Sequence, residues 1–155
     1  MEGTLFVGKS LFRFFNALHI FLYRRTSGRL GSKVQGLRIL LLSTIGRRSG
    51  KARVTPLGYF EHEGSFVVIA SNAGFDRHPG WYHNLRSQPR VTIEVGNRVM
   101  AAEAKVVGPD AYRQLWSKLI SLSPGYARYA ERTRRVIPLV ALQRRLSTGD
   151  HHPGN

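Results

Sequence analysis

Apolar residues in the first part of the chain recur at the spacing of a helix. Over residues 10–25, one broad face is apolar, while Arg13, Asn16 and His19 lie on the other face. The apolar face consists of Leu11, Phe14, Phe15, Leu18, Phe21 and Leu22. The pattern predicts an amphipathic helix that is too short, and too interrupted by Arg13, to span a membrane.

Two interpretations of this helix are open. It can dock on the core of its own domain, which is the commoner use of an apolar face. It can also rest on an anionic bilayer, with Arg24, Arg25 and Arg29 contacting the lipid headgroups.

The pattern changes to that of strands beyond a connector that contains Gly28, Gly31 and Gly36. Short apolar or alternating runs predict strands over residues 38–45, 53–60, 65–71, 91–95, 98–107 and 136–142. Helices are predicted over residues 79–87 and 109–122 and around 126–132. Pro138 lies inside the last strand, which predicts an edge or bulge position there.

A helix followed by strands with short helices between them indicates a mainly β (α+β) fold, a small and partly open barrel. Three parts are expected along the chain. Residues 1–36 form the helix and a basic connector, residues 37–146 form the barrel, and residues 147–155 form a disordered tail.

Charge is distributed unevenly along the chain. The net charge is +15, and no acidic residue occurs between Glu2 and Glu61, where eleven residues are basic. Such a region attracts polyanions, which include nucleic acid, an anionic membrane surface and a phosphorylated cofactor. The chain has no cysteine, which excludes disulfides, thiolate catalysis and cysteine-ligated zinc and fits a reducing cytoplasm.

The densest basic segment lies between two predicted strands, where the sequence reads TIGRRSGKAR over residues 44–53. Gly46 and Gly50 allow a tight turn, and Ser49 with the backbone N–H groups can donate to an oxyanion. The positive charge comes from Arg47, Arg48, Lys51 and Arg53. The segment is not a phosphate-binding Walker loop, since its glycine spacing is one residue short. A solvated basic turn is the alternative.

A second segment, over residues 70–85, begins where a strand ends in small polar residues. Its loop leads to a helix that carries Trp81, Tyr82 and Asn84. Small residues allow a flat ring to approach the backbone, whereas the alternative is a plain connector beside a core tryptophan.

Together the two segments, LLLSTIGRRSGKARVTPLGY and VVIASNAGFDRHPGWYHNLRSQP, resemble the deazaflavin-dependent nitroreductase family. The closing YARYAERTRRVIPLVAL is also similar, so the resemblance runs from Phe14 to Leu142. It implies a split β-barrel of the FMN-binding, pyridoxamine-phosphate-oxidase-like type. It also implies an enzyme that transfers a hydride from reduced coenzyme F420, a deazaflavin, to a small-molecule acceptor such as a quinone or a nitro compound.

The resemblance also implies roles for particular residues. The phosphate and oligoglutamate tail of the cofactor would be lined by Arg47, Arg48, Ser49, Gly50, Lys51, Ala52 and Arg53. The ring would lie beside Ser71, Asn72, Ala73 and Gly74, and the pocket would be closed by Arg77, His78, Pro79, Trp81, Tyr82 and Asn84. The acceptor would meet Tyr126, Tyr129 and Ser71, whose hydroxyls can stabilise negative charge or supply a proton.

Three positions depart from the pattern of the family. Ser123 stands where some members have a third acceptor-site tyrosine, and Gly58 stands where a bulkier aromatic residue occurs. These two changes predict a roomier acceptor pocket. Asn72 replaces a lysine of some relatives, and Arg48 or Arg53 can compensate for the lost charge.

Lipid binding, FMN binding and nucleic-acid binding are the alternative functions. A member of the same fold can bind a lipid or FMN in place of the deazaflavin, and a basic chain can bind nucleic acid. Against nucleic acid, the aromatic residues are not interleaved with Lys and Arg as base-stacking surfaces require. The histidines do not have the spacing of a metal site, since His78 and His83 are five apart without a carboxylate nearby.

Overall fold

The structure is a computed structural model that describes residues 3–29 and 33–146, with the backbone alone over residues 3–10. Its helices are α1 (Gly3–Arg25), α2 (Gly80–Ser87), α3 (Pro109–Leu122) and α4 (Tyr126–Arg132). Its strands are β1 (Lys33–Val34), β2 (Leu37–Ile45), β3 (Ala52–His62), β4 (Ser65–Ile69), β5 (Arg90–Val95), β6 (Arg98–Val106) and β7 (Leu139–Arg144). The predicted tail, residues 147–155, and Gly31 of the connector lie outside the described residues.

The strands form one antiparallel sheet that closes on itself. Their order is β1-β2-β3-β4-β7-β6-β5, and β5 pairs back onto β2, where Leu42 lies opposite Ile93. Strands β2 to β7 therefore form a closed barrel, and closure leaves few free strand edges. The predicted mainly β split-barrel fold is confirmed.

The barrel interior is filled by side chains that alternate along each strand. Leu40 and Leu42 of β2 point inward with Val68, Ile93 and Leu142 of other strands. Helix α2 adds Trp81, Tyr82 and Leu85 to this inner cluster, so it closes one end of the barrel.

The outer faces of the strands are covered by the other helices. Helices α3 and α4 pack over the outward residues of β3, β4 and β7, through Leu115, Leu119 and Tyr126. The last turns of α1 cover Ile39 and Leu41 of β2 through Ile20 and Tyr23. The Tyr23 hydroxyl donates to the Ile39 carbonyl at 2.9 Å and accepts from the Gly96 N–H at 2.9 Å.

Two details differ from the sequence-based expectations. The last strand begins after Pro138 and is not an edge, because β7 lies between β4 and β6. Pro138 lacks an N–H but its carbonyl accepts from the Ala70 N–H at 2.9 Å, so the proline precedes the ladder without breaking it.

The six apolar residues of the predicted helix face are exposed, whereas Ile20 and Tyr23 contact the core.

Candidate functional site

The basic segment forms a tight loop between β2 and β3. The Gly46 N–H donates to the Lys51 carbonyl at 2.8 Å, and the Gly50 N–H donates to the Gly46 carbonyl at 2.8 Å. A β-carbon on Gly46 would stand 2.5 Å from the Ser49 hydroxyl, so a side chain there would force the Ser49 side chain to move. Gly50 has a φ of +68°, which also favours glycine.

The side chains of this basic loop point into solvent. Arg47, Arg48, Lys51 and Arg53 are exposed, and within the described residues none of them forms an ion pair with an acidic side chain. Four unneutralised cations on a closed turn attract an anion that can reach several of them at once.

A buried amide connects the basic loop to α2. The Asn84 carbonyl oxygen accepts from the Arg47 N–H at 3.1 Å, and the Asn84 amide nitrogen donates to the Thr44 hydroxyl at 3.2 Å. Both Asn84 and Thr44 are buried. The structure therefore brings the two predicted sequence segments together through Asn84, whose predicted role was contact with the cofactor.

Beyond β4 the chain forms the shelf loop, which we define as residues 70–78. Asn72, Ala73 and Gly74 all lie in the left-handed region, with φ of 45°, 52° and 79°. The Asn72 amide donates to the Arg77 carbonyl at 2.9 Å. A β-carbon on Gly74 would stand 3.0 Å from the Tyr129 carbonyl oxygen, so only glycine allows this approach to α4.

Arg135, which the sequence did not indicate, binds the backbone of the shelf loop. Its guanidinium donates to the carbonyls of Ala70 at 3.1 Å, Ser71 at 2.8 Å and Phe75 at 3.0 Å. One of its nitrogens also lies 3.0 Å from Nδ1 of His78. A fork of donors that reaches several acceptors is the particular capability of arginine.

The residues before Arg135 bind the same loop. The Asp76 carboxylate accepts from the Thr133 hydroxyl at 2.9 Å and from the Arg134 N–H at 3.0 Å. These hydrogen bonds lower the pKa of Asp76. The Thr-Arg-Arg sequence before the last strand is the only local signal of this role, because its partners are 57 or more residues away.

Both histidines of this region have a lowered pKa. For His78 the largest cause is burial, followed by the positive charges of Arg135, a protonated His83 and Arg86. Burial and the charges of Arg47 and Arg86 do the same for His83. The His78 ring also lies against Tyr82, with ring centroids 4.6 Å apart. Burial and the nearby positive charges therefore favour the neutral form of both imidazoles.

The predicted catalytic tyrosines occupy α4 on the outside of the barrel. Tyr126 is buried, and its hydroxyl lies 3.2 Å from where a β-carbon on Gly58 would stand. Burial, and secondarily Tyr129, raises the pKa of Tyr126 to about 12. The two rings pack edge to face, with centroids 5.6 Å apart. The Tyr129 hydroxyl accepts a hydrogen bond from the Gln35 amide.

Gln35 is a second residue that the sequence did not indicate. It precedes β2 with a φ of 50°, and its carbonyl accepts a hydrogen bond from the buried Ser123 hydroxyl. Ser123 therefore anchors the turn between β1 and β2. The same turn contacts Tyr129 through the Gln35 side chain.

The predicted site residues form a continuous run of contacts. The basic loop meets α2 at Asn84, α2 meets the shelf loop where Tyr82 touches His78, and the shelf loop meets α4 at Gly74. Trp81 and Tyr82 lie mainly in the barrel core, whereas Arg77 is exposed and Pro79 caps α2. Within the described residues, the basic loop shares no hydrogen bond or ion pair with Tyr126 or Tyr129.

Comparison with known proteins adds an independent observation. A model of the family described as F420H(2)-dependent quinone reductase matches residues 16–144. An F420H(2)-dependent quinone reductase of Mycobacterium tuberculosis is 39% identical over 143 residues, which covers 90% of this chain and 93% of that protein. A putative F420H(2)-dependent quinone reductase of Mycobacterium bovis is similar to the same extent.

Solved structures are similar as well. An F420-H2 dependent reductase, FDR-A, superimposes with a TM-score of 0.62 and 32% identity over 68% of this chain and 93% of that one. A structure described as a domain-swapped dimer has a TM-score of 0.65 and 28% identity, and it covers 90% of this chain and 98% of that one. The haem storage protein HutZ of Vibrio cholerae, at 16% identity and a TM-score of 0.52, shares the fold alone over 70% of this chain and 82% of that one.

Proposed function

We propose that this chain, which belongs to the F420H(2)-dependent quinone reductase family, reduces a quinone. The chain is an oxidoreductase that depends on reduced coenzyme F420, as the resemblance in the sequence implied. The observation that carries the proposal is the continuous run of contacts from the basic loop, through α2 and the shelf loop, to the tyrosines of α4.

The residues of this run fit a cofactor with a flat ring and an anionic tail. The exposed cations Arg47, Arg48, Lys51 and Arg53 suit the phosphate and carboxylates of the tail. The hydrogen bonds from Asn84 fix the backbone of that loop before any ligand binds, which lowers the ordering cost of binding.

The ring end of the cofactor fits the other half of the run. Ala73 is exposed and has only a methyl side chain, so the shelf loop can lie close to a planar ring at that position. The absence of a side chain on Gly58 lets the Tyr126 hydroxyl pack closely against β3, 3.2 Å from where a β-carbon would stand. When bound beside the shelf loop, reduced coenzyme F420 supplies a hydride, which is two electrons and one proton.

The hydroxyls of α4 are suited to stabilise the oxygen of an acceptor. With a pKa of about 12, Tyr126 keeps its proton at neutral pH and can donate a hydrogen bond to developing negative charge. Tyr129 accepts from Gln35, so its own proton remains available for donation. Ser71, in the shelf loop, is the third hydroxyl proposed to face the acceptor.

We also propose that α1 holds the enzyme on an anionic membrane surface. Phe14 is 64% exposed and Phe21 is 57% exposed, and the other apolar residues of the predicted face are exposed too. Arg25 and Arg29 are exposed cations, whereas Arg24 is paired with Glu94 at 2.8 Å. An apolar face with basic residues beside it suits the lipid–water interface. No helix of the described residues is long and apolar enough to cross a membrane.

The test combines binding with turnover. Fluorescence titration of the purified protein with coenzyme F420, with FMN and with a fatty acid shows which ligand it takes. Anaerobic assays then follow oxidation of reduced F420 with a soluble quinone as the acceptor. We expect F420 to bind and the quinone to be reduced. Preference for FMN or fatty acid, or binding without turnover, would contradict the proposal.

A further inference from the structure

The geometry points to Arg135 as a positioning residue that holds the shelf loop in the shape required for binding the cofactor. This inference rests on the proposed function, because it assigns the shelf loop to the cofactor ring. The Arg135 guanidinium contacts backbone carbonyls of the loop and the His78 ring.

The shelf loop needs an external support because its backbone is unfavourable by itself. Three consecutive residues, Asn72, Ala73 and Gly74, have left-handed φ angles, and two of them carry a β-carbon. Residues with side chains adopt this region at a cost, so the surrounding structure must stabilise them. Helix α4 approaches the loop closely at Gly74.

Arg135 supplies the support from both sides of the left-handed run. It donates to Ala70 and Ser71 before the run and to Phe75 after it. One planar group therefore fixes the distance between the two ends of the run. Lysine cannot reproduce this, because its donors are on one atom at the end of a flexible chain.

The position of Arg135 is itself fixed by its neighbours. Its N–H donates to the Thr133 hydroxyl at 3.3 Å, and the same hydroxyl donates to Asp76 of the shelf loop at 2.9 Å. Ile137 and Leu139, which follow, are buried in the outer core. The guanidinium is therefore held at the start of a packed strand, and its hydrogen-bond partners lie within residues 70–78.

A role in positioning predicts a local effect. Loss of the guanidinium should loosen the shelf loop and weaken cofactor binding, while the barrel stays folded because its core and strand ladders are untouched. An arginine that only adds positive charge would instead act like its neighbour Arg134, whose backbone N–H alone makes a contact with the loop.

The experiment compares Arg135→Met, Arg135→Lys and the matched control Arg134→Met in the full chain. Amide hydrogen exchange is measured on the free protein, and the Kd for coenzyme F420 is measured by fluorescence, with and without added guanidinium ion. We expect faster exchange over residues 70–78 and a Kd raised by about tenfold in both Arg135 variants, partly restored by guanidinium in Arg135→Met. The control should keep the exchange rates and Kd of the wild type.

The outcomes separate this inference from the proposed function. If the wild-type protein does not bind coenzyme F420, the proposed function fails. If the wild type binds it and the Arg135 variants bind equally well, the positioning role is wrong. Equal losses in the Arg134 and Arg135 variants would also overturn it, because the effect would then be one of charge. If Arg135→Met unfolds, Arg135→Lys takes its place, and an unchanged Kd in that variant has the same meaning.

Discussion

The Tyr126 hydroxyl stands 3.2 Å from the point that a β-carbon on Gly58 would occupy. Leu37 is equally close to that point, at 3.3 Å, so the space cannot widen easily in either direction. The middle of a strand is an unfavourable place for glycine, which costs about 0.5–1 kcal/mol there relative to alanine. The gain from Gly58 is that the Tyr126 hydroxyl and Leu37 can pack directly against the backbone of β3.

Replacement of Gly58 by alanine should therefore affect the acceptor more than the cofactor. We expect kcat with a soluble quinone to fall by about threefold or more, since the Tyr126 hydroxyl must shift by a few tenths of an ångström. The Kd for coenzyme F420 should stay within about twofold of the wild-type value. Steady-state kinetics and fluorescence titration measure the two quantities. A changed Kd with an unchanged kcat would place Gly58 at the cofactor instead.

Tyr126→Phe tests the hydroxyl directly. Its removal should lower kcat by about tenfold to a hundredfold, because a donor to the developing negative charge is lost. The matched control is Tyr112→Phe. Tyr112 lies on α3, and its hydroxyl donates to the Ile137 carbonyl at 2.7 Å. That control should lower the melting temperature but leave kcat unchanged. Similar kcat losses in both variants would mean that the effect arises from packing.

Removal of charge from the basic loop should weaken cofactor binding. Arg48→Ala and Arg53→Ala are each expected to raise the Kd for coenzyme F420 by about tenfold, which is about 1.4 kcal/mol, with little change in melting temperature. Wild-type affinity should also fall as salt rises, because the contacts are ionic. Arg98→Ala, at the opposite end of the barrel, serves as the control for net charge. Affinity that does not respond to salt would argue against the assignment of this loop.

The lowered pKa of His78 gives a prediction about pH. The neutral ring is favoured in the folded protein by burial and by the charges of Arg135, His83 and Arg86, with Tyr82 beside it. The folded pKa is below the ordinary value of 6.5, so the contribution of His78 to stability is complete above pH 6.5 and is lost as pH falls through the folded pKa. The melting temperature should therefore drop on acidification from pH 6.5, and less steeply in His78→Gln. Proton NMR of the imidazole measures the pKa itself, and a value above 6.5 would contradict the account.

The local pattern of apolar and polar residues was sufficient to predict most helices and strands. It did not predict the hydrogen-bond partners of individual side chains. Helix α4 begins and ends where the sequence indicates, and the turns between the predicted strands contain Gly64 and Gly96, both with positive φ. These signals depend on neighbours in the chain. The partners of Arg135 are about sixty residues away, and those of Gln35 are on α3 and α4, so only the closed barrel brings them together.

Helix α1 shows the same limit in another way. Its periodicity correctly indicated a helix, but the apolar face that the spacing defines does not meet the core. Tyr23, which is 1% exposed, is the residue that docks, and its hydroxyl binds β2 and the turn between β5 and β6. A deletion of residues 1–25 would therefore remove a core side chain together with the exposed face, and it could not separate the two roles.

Substitution on the exposed face alone can separate them. We expect the double variant Phe14→Ser, Phe15→Ser to fold normally, because both side chains are more than half exposed. Its binding to vesicles that contain an anionic phospholipid should weaken by about tenfold or more, since each phenylalanine would lose the gain from burial in lipid. Turnover of a long-tailed quinone in those vesicles should fall, whereas a short soluble quinone should react at the wild-type rate. Val136→Ser, which changes another exposed apolar residue between α4 and β7, is the control. Unchanged vesicle binding would exclude α1 as the membrane contact, and equal losses with both quinones would mean that its exposed face serves the catalytic domain itself.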